Sequence, residues 1–470
     1  MKKISLFSIL FLVSSTLLSQ SISYTDLGVL FSQENYNGSA RYNAMSGAFG
    51  ALGGELSSMY QNPAGGAVFA RTEISLTYSQ TNLNTDASYY GKTSYNSNSS
   101  ARFPQFGMAI VFDAPYQSSD WSKFTLGFNY SMINDFRGDY TTRGNNGNFV
   151  RYDLHPYDDT FTPYNIPDEQ IFQNTTHGKH EVYNFSLSSA YKDFFYIGAA
   201  MNFHTLEFSQ ETYLTEYNSD ENGNTLDAFY DQFVSEESTG VSLGIGVILK
   251  PFRNLRLGVA YQSPVWHPEV IEESNAIDYD TDNSYTGFQE QGYLNIISSD
   301  ISEDYSNTNT SYPELLTYRY NLNTPEKWTA SAAITLGQHG LISVDYHQKN
   351  YSLIRLKDGY NFGPEAEEIS NTLTTARGVR GGGELRFNQI SLRGGAFLEE
   401  SPYKSEEDSI YKKGVSAGLG LKFKHAKLDF AYQYTEIDGT YSIYHSSEPV
   451  NDISLLNASS RITTTLSFTF

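Results

Sequence analysis

The 470-residue chain contains no cysteine. That absence excludes a disulfide framework, thiolate metal sites, thiol nucleophiles and a lipid-modified N-terminal Cys. Positive charge is scarce: 31 Lys and Arg stand against 53 Asp and Glu, for a formal net charge of -22. Nucleic acid is therefore not an expected partner, because phosphate binding needs clustered cations that release counterions. Docking on an anionic bilayer surface is disfavoured for the same reason. Proline is low, at 14 residues, and beyond Gln20 no apolar run approaches the roughly 20 residues of a spanning helix. What the chain has instead is 37 Tyr, 30 Phe and 37 Gly. Tyr, Phe and Thr favour strands over helices, so an all-β protein is expected.

Lys2 and Lys3 precede an apolar stretch from Ile4 to Val13 and a small-residue end at Ser19, Gln20 and Ser21. This is the pattern of a secretory signal peptide over residues 1–19. Without a later spanning helix, the remainder is either soluble or a membrane β-barrel, whose strands show lipid only alternate residues.

Period-2 alternation favours the barrel. Val415, Ala417, Leu419, Leu421 and Phe423 alternate with Ser416, Gly418, Gly420 and Lys422, and Leu428, Phe430, Tyr432 and Tyr434 follow after a tight connection. The last segment sets Ile462, Thr464, Leu466, Phe468 and Phe470 against Arg461, Thr463, Thr465, Ser467 and Thr469. Similar runs bring the total to about fourteen strands, most near the ~10 residues that cross a membrane. Leu315 to Leu336 counts as one strand, with Pro325 at a bulge or kink where the ladder does not miss its donor. Short links such as Asp193, Asn388 and 424–426 then alternate with long polar ones: 82–101, 136–181, 212–239, 264–314, 352–376, 401–413 and 438–459. The expectation is a 14-stranded antiparallel transmembrane β-barrel over residues 72–470, with long loops on the outer rim.

Residues 20–71 differ in character, with small residues from Gly38 to Gly54 followed by Asn62, Pro63, Ala64, Gly65 and Gly66. They read as short helical stretches and Gly turns suited to a confined space. No βαβ unit or Gly-Lys-Ser/Thr accompanies them, which argues against a phosphate loop. This run, its Asn62-Pro63-Ala64 and its passage into a first strand resemble the N-terminal hatch of the FadL/TodX family of outer-membrane transporters for long-chain fatty acids and other hydrophobic compounds. The Thr324-Pro325-Glu326-Lys327-Trp328 interruption and the terminal Phe470 are similar too. The resemblance implies an N-terminal plug whose end is marked by Asn62, Pro63, Ala64 and Gly65. It further implies an apolar pocket and passive passage with lateral release beside a kinked third strand. Gly127 lies in that strand, as a kink point or as a packing accommodation. Outer-membrane lipids, a hydrophobic ligand, and barrel assembly machinery engaging Phe470 are the expected partners.

Arg380, Arg386 and Arg393 fall on the polar, lumen-facing parity. Each is a candidate for pairing with a fatty-acid carboxylate, or for an internal pair with Glu384, Asp345 or Asp429. His177 and His180 form no recognised metal motif. The Asn218-Asp220-Asn222 and Asp278-Asp280-Asp282 fragments only approach calcium-loop spacing. No cofactor or metal is expected, and no nucleophile elbow or His-Glu-x-x-His points to an enzyme. A surface receptor or adhesin and a general diffusion porin are the competing functions.

Overall fold

The computed structural model describes residues 22–35, 37–113, 120–158, 163–275, 292–306, 315–357, 362–406, 409–444 and 450–470. Residues 1–19, expected to be a signal peptide, and the Asp278-Asp280-Asp282 fragment lie outside them. The strands close into a 14-stranded antiparallel barrel. The first six are β1 (Glu73–Tyr89), β2 (Lys92–Asp113), β3 (Trp121–Asp135, continued by Gly138–Gly144), β4 (Ile166–Tyr191), β5 (Phe195–Ser219) and β6 (Thr225–Phe252). Three interrupted strands follow: β7 (Leu255–Gln262 and Trp266–Ser274), β8 (Leu316–Asn323 and Lys327–Thr335) and β9 (Gly340–Asn350 and Arg355–Lys357). The last five are β10 (Thr375–Phe387), β11 (Ile390–Glu400), β12 (Ile410–Lys422), β13 (Ala426–Tyr441) and β14 (Ile453–Thr469). β14 returns to β1, with Glu73 opposite Thr469 and Ser88 opposite Ser454, which closes the sheet.

Burial is inverted relative to a water-soluble protein. Ile342, Val415 and Ile462 are 56%, 56% and 58% exposed, whereas Thr77, Gln105 and Asn129 are at 0%. Alternate side chains therefore face lipid and a polar interior, the pattern of a membrane barrel. Among the described residues no helix is long and apolar enough to cross a membrane.

Pro325 does break its strand. β8 pairs with the inner part of β7 through Lys327–Ile334 and with its outer part through Leu316–Asn323. Pro264 interrupts β7 at the same level, and Thr324 N–H donates to Val265 O at 3.1 Å across the break. Two prolines at one level spare the ladder a missing donor inside either half.

The long links need correction. Most of 82–101 and 212–239 is strand, as are 438–441, 453–459, 138–144 and 166–181. β5 and β6 run on together to a tight turn in which Asp220 accepts from the N–H groups of Asn222 and Asn224, both at 2.8 Å. Outside the bilayer the outward face has no need to be apolar, so Ser, Thr, Asn and Glu occupy both parities and the alternation disappears while the backbone ladder continues. These extensions close over an aromatic cluster that includes Tyr89, Tyr152, Tyr164 and Tyr230.

Candidate functional site

The segment from Ile22 to Phe69 bonds to inward-facing groups around the barrel. It forms α1 (Tyr24–Ser32), α2 (Ala40–Ala44), α3 (Ser58–Gln61) and a 3-10 turn over Pro63–Val68. Ser23 and Ser39 cap α1 and α2 by accepting from the N–H groups of Asp26 and Tyr42. Asn62 caps the 3-10 turn through Ala64 N–H at 3.1 Å, with Pro63 at its first position. The Asn62 amide also donates to Gly50 O at 2.6 Å and to Val247 O of β6 at 3.5 Å. A Cβ on Gly246 would stand 1.9 Å from Asn62 Oδ1, so wall and turn touch backbone to side chain there. Ala64 and Gly65 are buried beside them.

Ionic contacts bind the same segment to the wall. Glu34 accepts from Lys327 at 2.6 Å and Lys349 at 3.1 Å, and Lys412 reaches Asn35 Oδ1 at 2.6 Å. Burial alone would raise the Glu34 carboxyl, but Lys327 and Lys349 hold it well below the usual carboxylate range. Arg41 reaches Glu384 at 3.0 Å. Asp345 takes the Gly50 N–H at 3.0 Å and the Gln61 amide at 2.8 Å.

The three candidate arginines all engage acids. Arg393 bonds Glu384 and Asp429, each at 2.6 Å, and Arg386 bonds Glu384 at 2.5 Å. Arg380 meets Glu399 at 3.1 Å and His347 at 3.3 Å. Glu384 thus gathers Arg41, Arg386 and Arg393, and its side chain is only 1% exposed.

Gly127 sits in an unbroken ladder, with Ala109 on one side and Ser186 on the other. An added Cβ there would lie 2.6 Å from Met59 Sδ, so the glycine admits α3. The irregularity of β3 comes later. Its register with β4 shifts between Met132 and Asn134, and Met132, Ile133 and Asn134 are buried in succession. Asn35 N–H donates to Ile133 O at 3.0 Å, and the Asn134 amide donates to Gln33 O at 2.7 Å. The N-terminal segment therefore holds the third strand inward at Ile133 and Asn134. Because these bonds join residues about a hundred positions apart, no local motif announced them.

That displacement ends the β2–β3 ladder at Gln105 and Ser131. Beyond this point side chains span the two strands: Arg102 to Asp135 at 3.4 Å, Asn98 Nδ2 to Asp139 O at 3.2 Å, and Thr141 N–H to Asn96 Oδ1 at 3.2 Å. A cavity of about 380 Å³ lies behind them, lined by Leu30 and Asn35 of the segment, Leu83, Ser100, Met132 and Phe136 of the wall, and others. Lys412 and Arg461 bring positive charge to it.

His177 is exposed, whereas His180 faces inward and meets His204 at 3.1 Å, with His267 beside both. Strand parity could have located this trio, which spacing along the chain obscures. Among the described residues no group of three acids or histidines is arranged to hold a metal.

No family model and no curated protein matches the sequence. Solved structures do match. A Pseudomonas aeruginosa FadL homologue aligns with a TM-score of 0.58 and 11% identity over 93% of this chain and 99% of its own. The Pseudomonas putida toluene transporter TodX aligns at 0.51 and 12% over 94% and 99%. The Ralstonia pickettii toluene transporter TbuX aligns at 0.51 and 13% over 93% and 99%. The likeness is one of fold, and it spans nearly the whole of each chain: this protein has the FadL-type 14-stranded barrel fold.

Proposed function

We propose that the protein is an outer-membrane channel for passive passage of hydrophobic small molecules of the long-chain fatty-acid type. Residues 22–69 act as the hatch, and the opening between β2 and β3 where their ladder stops at Gln105 and Ser131, next to the outward-facing Phe103, is the lateral exit. The observation that carries this reading is the cavity behind a stretch of wall held by side chains instead of a backbone ladder. Apolar Leu30, Met132 and Phe136 suit a hydrocarbon chain, and Arg461 suits a carboxylate head. Transfer from water to the cavity and then to lipid supplies about 0.8 kcal/mol per CH2, so neither a nucleotide nor a catalytic group is needed. Arg380, Arg386 and Arg393 serve to hold hatch and wall together, since each already pairs with an acid. The bonded lumen disfavours a general porin.

The natural chain lacks cysteine, so an Arg102→Cys/Asp135→Cys pair can be bridged selectively with a short cleavable bis-maleimide. Uptake of labelled long-chain fatty acid should stop on bridging and return on cleavage. Uptake that persists through the bridge would rule out the lateral exit.

A further inference from the structure

Above the apolar belt, β6 and β7 carry a pair of inward acids. Glu236 and Glu272 are direct cross-strand partners, 0% and 7% exposed. Side chains so opposed start from Cβ atoms about 4.5–5.5 Å apart, close enough for both carboxylates to reach one ion. Glu237, Glu269 and Glu273 take the opposite parity of the same stretches, so the outer face of the wall stands in water at this level.

Two phenols complete the nest. Tyr24, in the first turn of α1, donates to Glu272 Oε2 at 2.5 Å, and Tyr320 of β8 donates to Glu236 Oε1 at 3.1 Å. Their rings meet edge to face with centroids 5.6 Å apart. A donor on each carboxylate favours the ionised form of both. Glu236 Oε2 is buried without a hydrogen-bond partner, and Ser274 Oγ faces Glu272 from the same strand outside normal hydrogen-bond geometry.

Positive charge is what the nest lacks. Among the described residues no Lys, Arg or His bonds to either carboxylate. Arg319, on the outward parity of β8, pairs with Glu269 at 2.8 Å. The adjoining stretches 276–291 and 307–314 contain no Lys, Arg or His at all. Two buried carboxylates opposite one another cannot both ionise without a large electrostatic cost unless a cation lies between them. Burial raises both carboxyls, and the nearness of Glu272 raises Glu236 further, as expected of charge left uncompensated.

We propose that Glu236 and Glu272 bind a calcium ion that braces α1 against β6, β7 and β8. The donors are all oxygen, which suits a hard cation and not a transition metal. Two carboxylates match a divalent charge, and an irregular set completed by hydroxyls and water suits Ca2+ better than Mg2+, which demands a near-ideal octahedron. Tyr24 also lines the cavity of about 690 Å³ on the β13–β14 side, which gives the ion a way in from the lumen. The site stands on this geometry and is independent of what the barrel transports.

Binding of radiolabelled Ca2+ to the full-length barrel, refolded in detergent without added lipid, can be counted by equilibrium dialysis at about 1 mM free ion. Glu236→Gln and Glu272→Gln keep the side-chain shape and an acceptor for each phenol, and each should bind one ion fewer than the natural chain. Glu237→Gln, on the outward parity, should bind as many as the natural chain. Equal binding by the natural chain and both inward variants, or the same loss in Glu237→Gln, would overturn the site and leave the acids neutralised by a proton. A second readout needs no substitution. Hydrogen exchange over Tyr24–Ser32 in the natural barrel should be slower in Ca2+ than after its removal with EDTA, and unchanged exchange would overturn the brace.

Discussion

Arg102 of β2 and Asp135 of β3 face each other at 3.4 Å just beyond the last backbone pairing of their strands, at Gln105 and Ser131. Their contact belongs to the few that close the wall in front of the cavity. Both side chains are partly exposed, so the pair is worth about 1 kcal/mol or less. Arg102→Ala should leave the thermal unfolding midpoint nearly unchanged while accelerating uptake of a hydrophobic probe. Equal or slower uptake at unchanged stability would mean that the pair does not gate the seam.

Glu384 is the acid on which Arg41, Arg386 and Arg393 converge. Glu384→Ala leaves the part-buried Arg393 and Arg41 without that partner, and the loss of one side of a buried ion pair typically costs about 3–5 kcal/mol. Thermal unfolding, followed as the loss of the compact band in unheated gels, should shift down strongly. Arg386→Ala removes a more exposed partner and should shift it much less.

Gly246 of β6 lies against Asn62, so that a Cβ added there would stand 1.9 Å from Asn62 Oδ1. Gly246→Ala should dislodge the 3-10 turn over Pro63–Val68 at a cost of about 1–3 kcal/mol while leaving the ladder intact. Limited proteolysis should then cut within residues 50–69 in a barrel that still migrates as folded.

Glu34 of the N-terminal segment is bonded to two lysines, Lys327 and Lys349. Its depressed titration means that the stabilisation is present above the ordinary carboxylate range and is lost as pH falls through the lower, folded-state value. Hydrogen exchange of residues 33–37 should rise on strong acidification, and Glu34→Gln should raise exchange at neutral pH and remove most of that dependence. Acid-induced exchange as large in Glu34→Gln as in the natural chain would contradict this.

The strand count and the break at Pro325 were legible because the bilayer imposes apolar alternation on every crossing and proline removes a ladder donor. The outer extensions were not. In Thr93 to Ala101, Ser, Thr and Asn fill both faces, and only pairing with β1 reveals a strand. Nor was the site itself legible: Arg41 and Glu384, or Asn35 and Ile133, meet only through barrel closure, at separations that no local pattern encodes. Parity did place Arg380 and Arg393 in the lumen, but their burdens were set by Glu399, Glu384 and Asp429 on neighbouring strands. Gly127, a kink point or a packing accommodation by sequence, sits in an unbroken ladder against Met59, and the irregularity of β3 falls at Ile133 and Asn134, where the backbone of the N-terminal segment makes the bonds.

The most direct test reconstitutes the full-length barrel in a planar bilayer and, in parallel, in vesicles exposed to labelled long-chain fatty acid. A hatch-filled lumen with a lateral exit predicts electrical silence together with protein-dependent transfer of the fatty acid. A large steady ohmic current without such transfer would identify an open aqueous pore and contradict it.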